Sequence, residues 1–226
     1  MKRAVCSAWV FCLLCFGGAG QASAQFVLSE ALDVGISGLF YASGSFLDEP
    51  PESGIPYPGF GGFNPSGGGL ALDVRYLGIV GVEIDLLFTE DIGGGEINDQ
   101  DVEIGQEALH VPILLKVQAP LAIFKPNLFI GYEFVFVEES KAETVFSNIG
   151  SEASDYEVLT FGLGFEIALP IPSVDIRIPL SLRGSVNLDT PETVEERTTV
   201  ERGQITYNSE WKFHTGVTLG VAWYFL

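Results

Sequence analysis

The run Asp73-Val-Arg-Tyr-Leu-Gly-Ile-Val-Gly-Val-Glu-Ile-Asp-Leu-Leu-Phe88 (DVRYLGIVGVEIDLLF) decides the fold. Its charges, Asp73, Arg75, Glu83 and Asp85, fall at odd positions; Val74, Tyr76, Val82, Ile84, Leu86 and Phe88 fall at even ones. Alternation with period two marks a β-strand with one polar and one apolar face. The short, glycine-flanked middle, Gly78-Ile79-Val80-Gly81, turns the two halves into a hairpin. Alternation alone does not say which face is inside. A soluble barrel puts its apolar face inward, and a membrane barrel puts it outward, towards lipid.

Six further segments alternate in the same way: residues 31–46, 104–118, 126–137, 156–169, 174–188 and 209–226. With the hairpin they make eight strands, and no segment shows a helical period. The connections alternate in length. Those at residues 78–81, 119–125 and 170–173 are short, whereas those at 47–66, 89–103, 138–155 and 189–208 are long, polar and mostly acidic. Short turns on one rim and long loops on the other, with an even strand number, are the pattern of a bacterial outer-membrane barrel.

The last strand speaks to the question of faces. Trp211, Phe213, Val217, Leu219, Val221, Trp223 and Phe225 share one parity, and Lys212, His214, Gly216, Thr218, Gly220 and Tyr224 the other. At ~3.3 Å per residue and ~45° tilt, the Trp211–Trp223 separation is roughly 28 Å along a membrane normal, close to the hydrocarbon thickness. Trp211, Phe213, Trp223 and Phe225 therefore read as two aromatic girdles. The polar faces also carry many glycines (Gly35, Gly131, Gly162, Gly164, Gly184, Gly216, Gly220). Glycine weakens a solvent-facing strand for no return, but a narrow interior needs small residues beside large ones. The charged face is thus expected inside. An eight-stranded interior just accommodates side chains, so its charges should pair. With the turn centred at Ile79, Arg75 faces Glu83; moved by one pair, it faces Asp85. Lys116, Arg177, Arg183 and Lys212 are expected to join Asp33, Glu133 and Glu166 in the same lumenal network as Asp73, Arg75, Glu83 and Asp85. Pro112 and Pro179 fall inside strands, where each removes a ladder donor and predicts a bulge or a short unpaired step.

The ends and the composition agree. Lys2 and Arg3, an apolar run from Ala4 to Phe16 and the small-residue site Ala22-Ser23-Ala24 read as a secretory leader, 1–24, leaving 25–226 as one barrel domain. Cys6, Cys12 and Cys15 all lie in the leader, so the mature chain is expected to hold no disulfide, haem or thiolate metal site. The chain's net charge of −19 becomes −21 without Lys2 and Arg3, which argues against nucleic acid as a partner. A chain 47% hydrophobic and 18% charged, with no apolar run after the leader long enough for a transmembrane helix, is either a well-packed soluble β domain or an outer-membrane barrel.

From the fourth strand onward the sequence resembles the PorT-like outer-membrane β-barrel family, often labelled porin-family proteins. The stretches that carry the resemblance are Leu109-His-Val-Pro-Ile-Leu-Leu-Lys116, Lys125-Pro-Asn-Leu-Phe-Ile-Gly-Tyr132, Asp155-Tyr156 with Gly162-Leu-Gly-Phe-Glu166, and Leu182-Arg-Gly-Ser-Val-Asn-Leu188. The resemblance implies an eight-stranded antiparallel up-and-down barrel of OmpA/OmpX type and supplies no catalytic residue. His110 stands where that family usually has Glu, and the chain ends Tyr224-Phe225-Leu226 rather than on an aromatic residue.

Candidate chemistry is sparse. His110 and His214 fall on the lumenal parity, with no Ser or Asp neighbour on the lipid side to build a lipid-hydrolysing site. Glu96-Ile-Asn-Asp-Gln-Asp-Val-Glu103 offers oxygen ligands but lacks the spacing of an EF-hand loop, and reads as a solvated acidic loop. The Pro/Gly-rich residues 50–66 read as a loop, with a partner-binding lid as the rival reading. The sequence therefore predicts a non-enzymatic, cofactor-free outer-membrane protein that serves envelope integrity or surface interaction; passage of small solutes is the alternative. Its expected partners are outer-membrane lipid, divalent cations loosely held at the acidic loops and the barrel-assembly machinery during biogenesis, with the barrel itself a monomer.

Overall fold

A computed structural model describes residues 31–45, 64–97, 100–144, 147–189, 196 and 198–225. The expected leader, with its three cysteines, and nearly all of the 50–66 loop lie outside the described residues. The strands are β1 (Leu32–Ser45), β2 (Asn64–Tyr76), β3 (Val80–Ile97), β4 (Gln100–Gln118), β5 (Phe124–Thr144), β6 (Ile149–Glu152), β7 (Tyr156–Ala168), β8 (Asp175–Val186), β9 (Thr198–Glu201), β10 (Gln204–Asn208) and β11 (Phe213–Tyr224). Eight of them form a closed antiparallel barrel in the order β1-β11-β8-β7-β5-β4-β3-β2. The eight-stranded fold read from the sequence is the fold found.

The faces divide by parity. Ile36, Phe40, Leu72, Val74, Tyr76, Ile84, Phe88, Ile113, Leu115, Leu128, Ile130, Leu163, Leu182 and Val221 are exposed on the outer wall. Asp73, Arg75, Glu83, Asp85, Lys116, Glu133, Glu166, Arg177 and Arg183 are buried, Arg75 and Asp85 to 0% exposure. Large rings fit this narrow interior beside glycines. A Cβ on Gly35, Gly162 or Gly216 would stand 2.4–2.6 Å from the ring of Tyr224, Phe129 or Tyr41 respectively. Gly184 is a correction: it shares the outer face with Leu182, under Phe161 and Phe213, while Arg183 and Ser185 are its inward neighbours.

The opening hairpin is tighter than either expected register. Arg75 pairs with Gly81, Asp73 with Glu83 and Ala71 with Asp85. Leu77 and Gly78 both take positive φ (54° and 63°), and Ile79 N–H donates to Tyr76 O at 3.0 Å, so a turn of the primed kind lies within the three-residue loop between the paired Tyr76 and Val80. Gly81 lies directly against Arg75, where a Cβ would come within 2.6 Å of Arg75 Cγ. At Pro112 the β3–β4 ladder is interrupted between Ile84↔Ile113 and Leu87↔His110. At Pro179 the β8–β11 ladder is interrupted between Leu219↔Leu180 and Ala222↔Arg177. Each proline makes a short unpaired step on one side, without a change of register.

Three of the long connections are not loops alone. β3 and β4 stay paired as far as Ile97↔Gln100, and β5 follows β4 as far as Val102↔Thr144, past a register shift at Glu107/Ala108. The wall thus continues upward as a three-stranded ladder. Residues within 138–155 and 189–208 also form a second sheet, β6-β10-β9, in which β6 and β10 run parallel. These strands are short and largely polar in sequence and lack the apolar alternation that marks the barrel wall.

Candidate functional site: the lumen and its two rims

The inner faces of β2, β3, β4, β7 and β8 bring the charges together near the short-turn rim. Arg75 donates through Nε to Asp73 (2.8 Å), through Nη1 to Glu166 (2.9 Å) and through Nη2 to the Tyr224 hydroxyl (2.7 Å), with Gln118 a further acceptor. Lys116 donates to Asp73 at 3.1 Å and pairs with Glu83. Arg177 sits over the Tyr224 ring, its Cζ 3.6 Å from the centroid, and reaches Asp175 (3.0 Å), Asp33 (3.3 Å) and Glu166 (3.5 Å). Arg183 links Asp85 (2.7 Å) with Glu83 (3.4 Å). Each guanidinium or ammonium therefore meets two or more carboxylates, the arrangement that makes burial of charge tolerable. Gln118 and Tyr224 share the parity of Lys116 and Lys212 in their strands, but nothing in the sequence marked them as partners of Arg75.

Glu133 belongs to a separate cluster. It accepts from His110, Thr160 and Ser185, and Thr160 and Ser185 share a 2.8 Å hydrogen bond. The His110 and His214 rings meet edge to face, 6.2 Å apart, and both are buried. Leu39, Tyr41, Ala71 and Leu87 form an apolar patch inside the same lumen. The charges are inside.

The rims need two corrections. Trp211 is 2% exposed, against 55% for Trp223. β11 begins only at Phe213, so Trp211 precedes the strand and tucks inward; it is no part of an outward girdle, and the 28 Å aromatic spacing falls with it. Phe213 is half-buried, whereas Trp223 and Phe225 face outward with their rings 5.6 Å apart, on the rim that also exposes Tyr76 and Phe124. Lys212 likewise precedes the strand. It sits half-buried at the long-loop end and is not brought to the Arg75 cluster.

Above the wall, Glu90 and Glu107 face each other across β3 and β4. Lys141 of β5 bridges them, at 3.1 Å from Glu90 and in contact with Glu107; these bonds, Glu107 first, hold its ammonium above the usual lysine range. Gln106 donates to the Tyr156 hydroxyl at 2.6 Å, and Ser140 bonds Ser151 and Ser209 at the long-loop end. The side chains of residues 91–102, most of the acidic run 96–103, lie outside the described residues. Among the described residues no group of three His, Cys, Asp or Glu side chains is placed to hold a metal ion.

No protein-family model matches the chain, and no curated protein matches it in sequence. Solved structures similar to it include the outer membrane protein AlkL in lipid bilayers (13% identity, 87% of this chain and 91% of that one, TM-score 0.49). Another is the outer membrane protein OprG from Pseudomonas aeruginosa (12%, 87% and 97%, TM-score 0.44). A third is the N-terminal β-barrel domain of OprF from Pseudomonas aeruginosa (11%, 84% and 97%, TM-score 0.41). The likeness is one of overall shape and carries no ligand or activity across.

Proposed function

We propose that this chain is an integral outer-membrane barrel that spans the membrane with a filled lumen and presents acidic strands and loops to the medium. The observation that carries the reading is the inversion of the usual soluble pattern: a continuous apolar outer wall around buried, mutually paired charges. In water such a wall would be a very large exposed apolar patch, whereas in a bilayer it meets acyl chains. The four strand motifs that resemble the PorT-like family point the same way. The lumenal ion pairs hold the strands in register rather than do chemistry, since His110, His214 and Ser185 are sealed from any substrate.

The test joins three measurements. The protein should fractionate with the outer membrane, migrate faster in detergent gels unheated than boiled, and leave planar bilayers without stepwise conductance. Release into the soluble fraction without detergent defeats the membrane reading. Regular conductance steps would move the function to solute transport.

A further inference from the structure

We propose that the three short turns are lipid-contact elements, seated in the inner leaflet at the boundary between head groups and acyl chains. The proposal rests on the membrane reading above and deepens it by naming phospholipid as the partner of this rim. Residues 77–79, 119–123 and 169–174, which form these turns, carry no charged side chain, in a chain of net charge −19. Their only polar side chain is that of Ser173. Leu77, Ile79, Leu121, Ile123, Ile171 and Val174 are all exposed. The opposite rim shows what a water-facing edge of this molecule looks like: Glu103, Glu138, Glu139 and Glu143 are exposed there.

Apolar tips on all three turns would make a large patch in water, and phospholipid covers them by continuity with the wall. Tyr76, Val80, Phe124, Trp223 and Phe225 carry the apolar outer face down to the turns. Backbone polarity is the usual obstacle to placing a turn against lipid, since acyl chains offer no hydrogen bonds. Here the turns meet much of that demand themselves. Leu77 N–H donates to Ala31 O (2.6 Å), Leu121 N–H to Ala119 O (2.8 Å) and Ile171 N–H to Leu169 O (2.8 Å). Ile79 N–H donates to Tyr76 O (3.0 Å), and Pro120, Pro170 and Pro172 have no N–H to satisfy. Charge sets the depth. Asp33 and Asp175, near the starts of β1 and β8, turn to the buried Arg177 (3.3 Å and 3.0 Å) rather than to the outer wall. Asp175 is itself exposed, so the lumen mouth stays wet and the tips stop at the hydrated boundary, the level that Tyr76 and Trp223 also favour. A thiol at that depth still meets aqueous reagents from the same side.

The experiment uses the full mature chain folded into vesicles of phosphatidylethanolamine and phosphatidylglycerol, with single cysteines carrying an environment-sensitive fluorophore. Ile79→Cys and Leu121→Cys report two of the turns, Leu163→Cys the outer wall and Glu143→Cys the opposite rim, all at exposed positions. Lipids bearing a nitroxide near the head group or near the chain end quench by contact. The turn probes should be quenched more by the head-group-side nitroxide, the wall probe more by the chain-end one, and Glu143→Cys by neither. In the Ile123→Cys protein, Leu121→Asp should strip most of the quenching from the probe, and Leu121→Phe should keep it. Turn probes as unquenched as Glu143→Cys overturn the proposal and leave this rim in water, open to a soluble partner or a second copy. Stronger quenching of the turns from the chain end overturns the shallow seat. A wall probe that neither nitroxide reaches defeats the membrane reading itself, so the two failures are told apart.

Discussion

Arg75 shows what one side chain does for this barrel. It touches Asp73, Gln118, Glu166 and Tyr224, which come from β2, the β4 end, β7 and β11, so one guanidinium ties together strands from around the wall. Arg75→Ala would leave Asp73 and Glu166 buried without their main counter-charge. We expect a loss of about 3–5 kcal/mol, read as a lower urea midpoint for unfolding from micelles. An unchanged midpoint would mean that Lys116 and Arg177 suffice. The same crowding makes a second prediction. Gly216→Val places a side chain where the Tyr41 ring lies 2.4 Å from the Cβ position, and should cost about 1–3 kcal/mol by overpacking. Tyr41→Ala in the same chain should recover part of that loss, a coupling that the double-mutant cycle measures directly. Parity made the inward place of Arg75 and Gly216 legible from the sequence. The partners of Arg75 were not, because they depend on barrel closure and on a turn centred one residue earlier, at Gly78 instead of Ile79.

At the scale of elements, legibility follows solvent. Strand segments that contact the apolar belt on one side and the charged lumen on the other carry a strong period-two signal, and their boundaries fall within a few residues of the alternating runs. Pro112 and Pro179 could be read as interrupted steps because a missing donor is a property of the residue itself. The ladder of β3, β4 and β5 above the barrel, and the β6-β10-β9 sheet, gave no such signal: their residues are largely polar or glycine, and Gly93-Gly94-Gly95 reads as loop. Trp211 was misplaced for a related reason, since alternation was carried past the point where β11 begins. The upper part of the β3–β4 hairpin is then structurally separable from the wall. Replacing residues 94–103, which follow Gly93 and precede its partner Ile104, by an Asn-Gly turn should leave the heat-dependent gel shift intact and the unfolding free energy within about 1 kcal/mol. Loss of the gel shift would show instead that the projecting ladder is needed to close the barrel.

For the whole molecule, the remaining question is which rim faces out, and the two rims differ in more than loop length. Ala31 and Phe225 both lie at the short-turn end, where Leu77 N–H donates to Ala31 O and Phe225 N–H donates to Val34 O. A chain delivered to the periplasm and inserted from that side must carry the segments opposite its termini through the bilayer. The acidic ladder and the β6-β10-β9 sheet would therefore end outside, with the three short turns inside. Removal of a leader that holds all three cysteines would leave a mature chain free of thiols, so single cysteines report position cleanly. Glu143→Cys, exposed on the β5 extension, should react with a membrane-impermeant maleimide on intact cells. Ile171→Cys, exposed in the short turn between β7 and β8, should react only after the outer membrane is opened. The reverse pattern would invert the barrel and place the acidic rim in the periplasm; labelling of both on intact cells would mean that the apolar wall does not span a membrane at all.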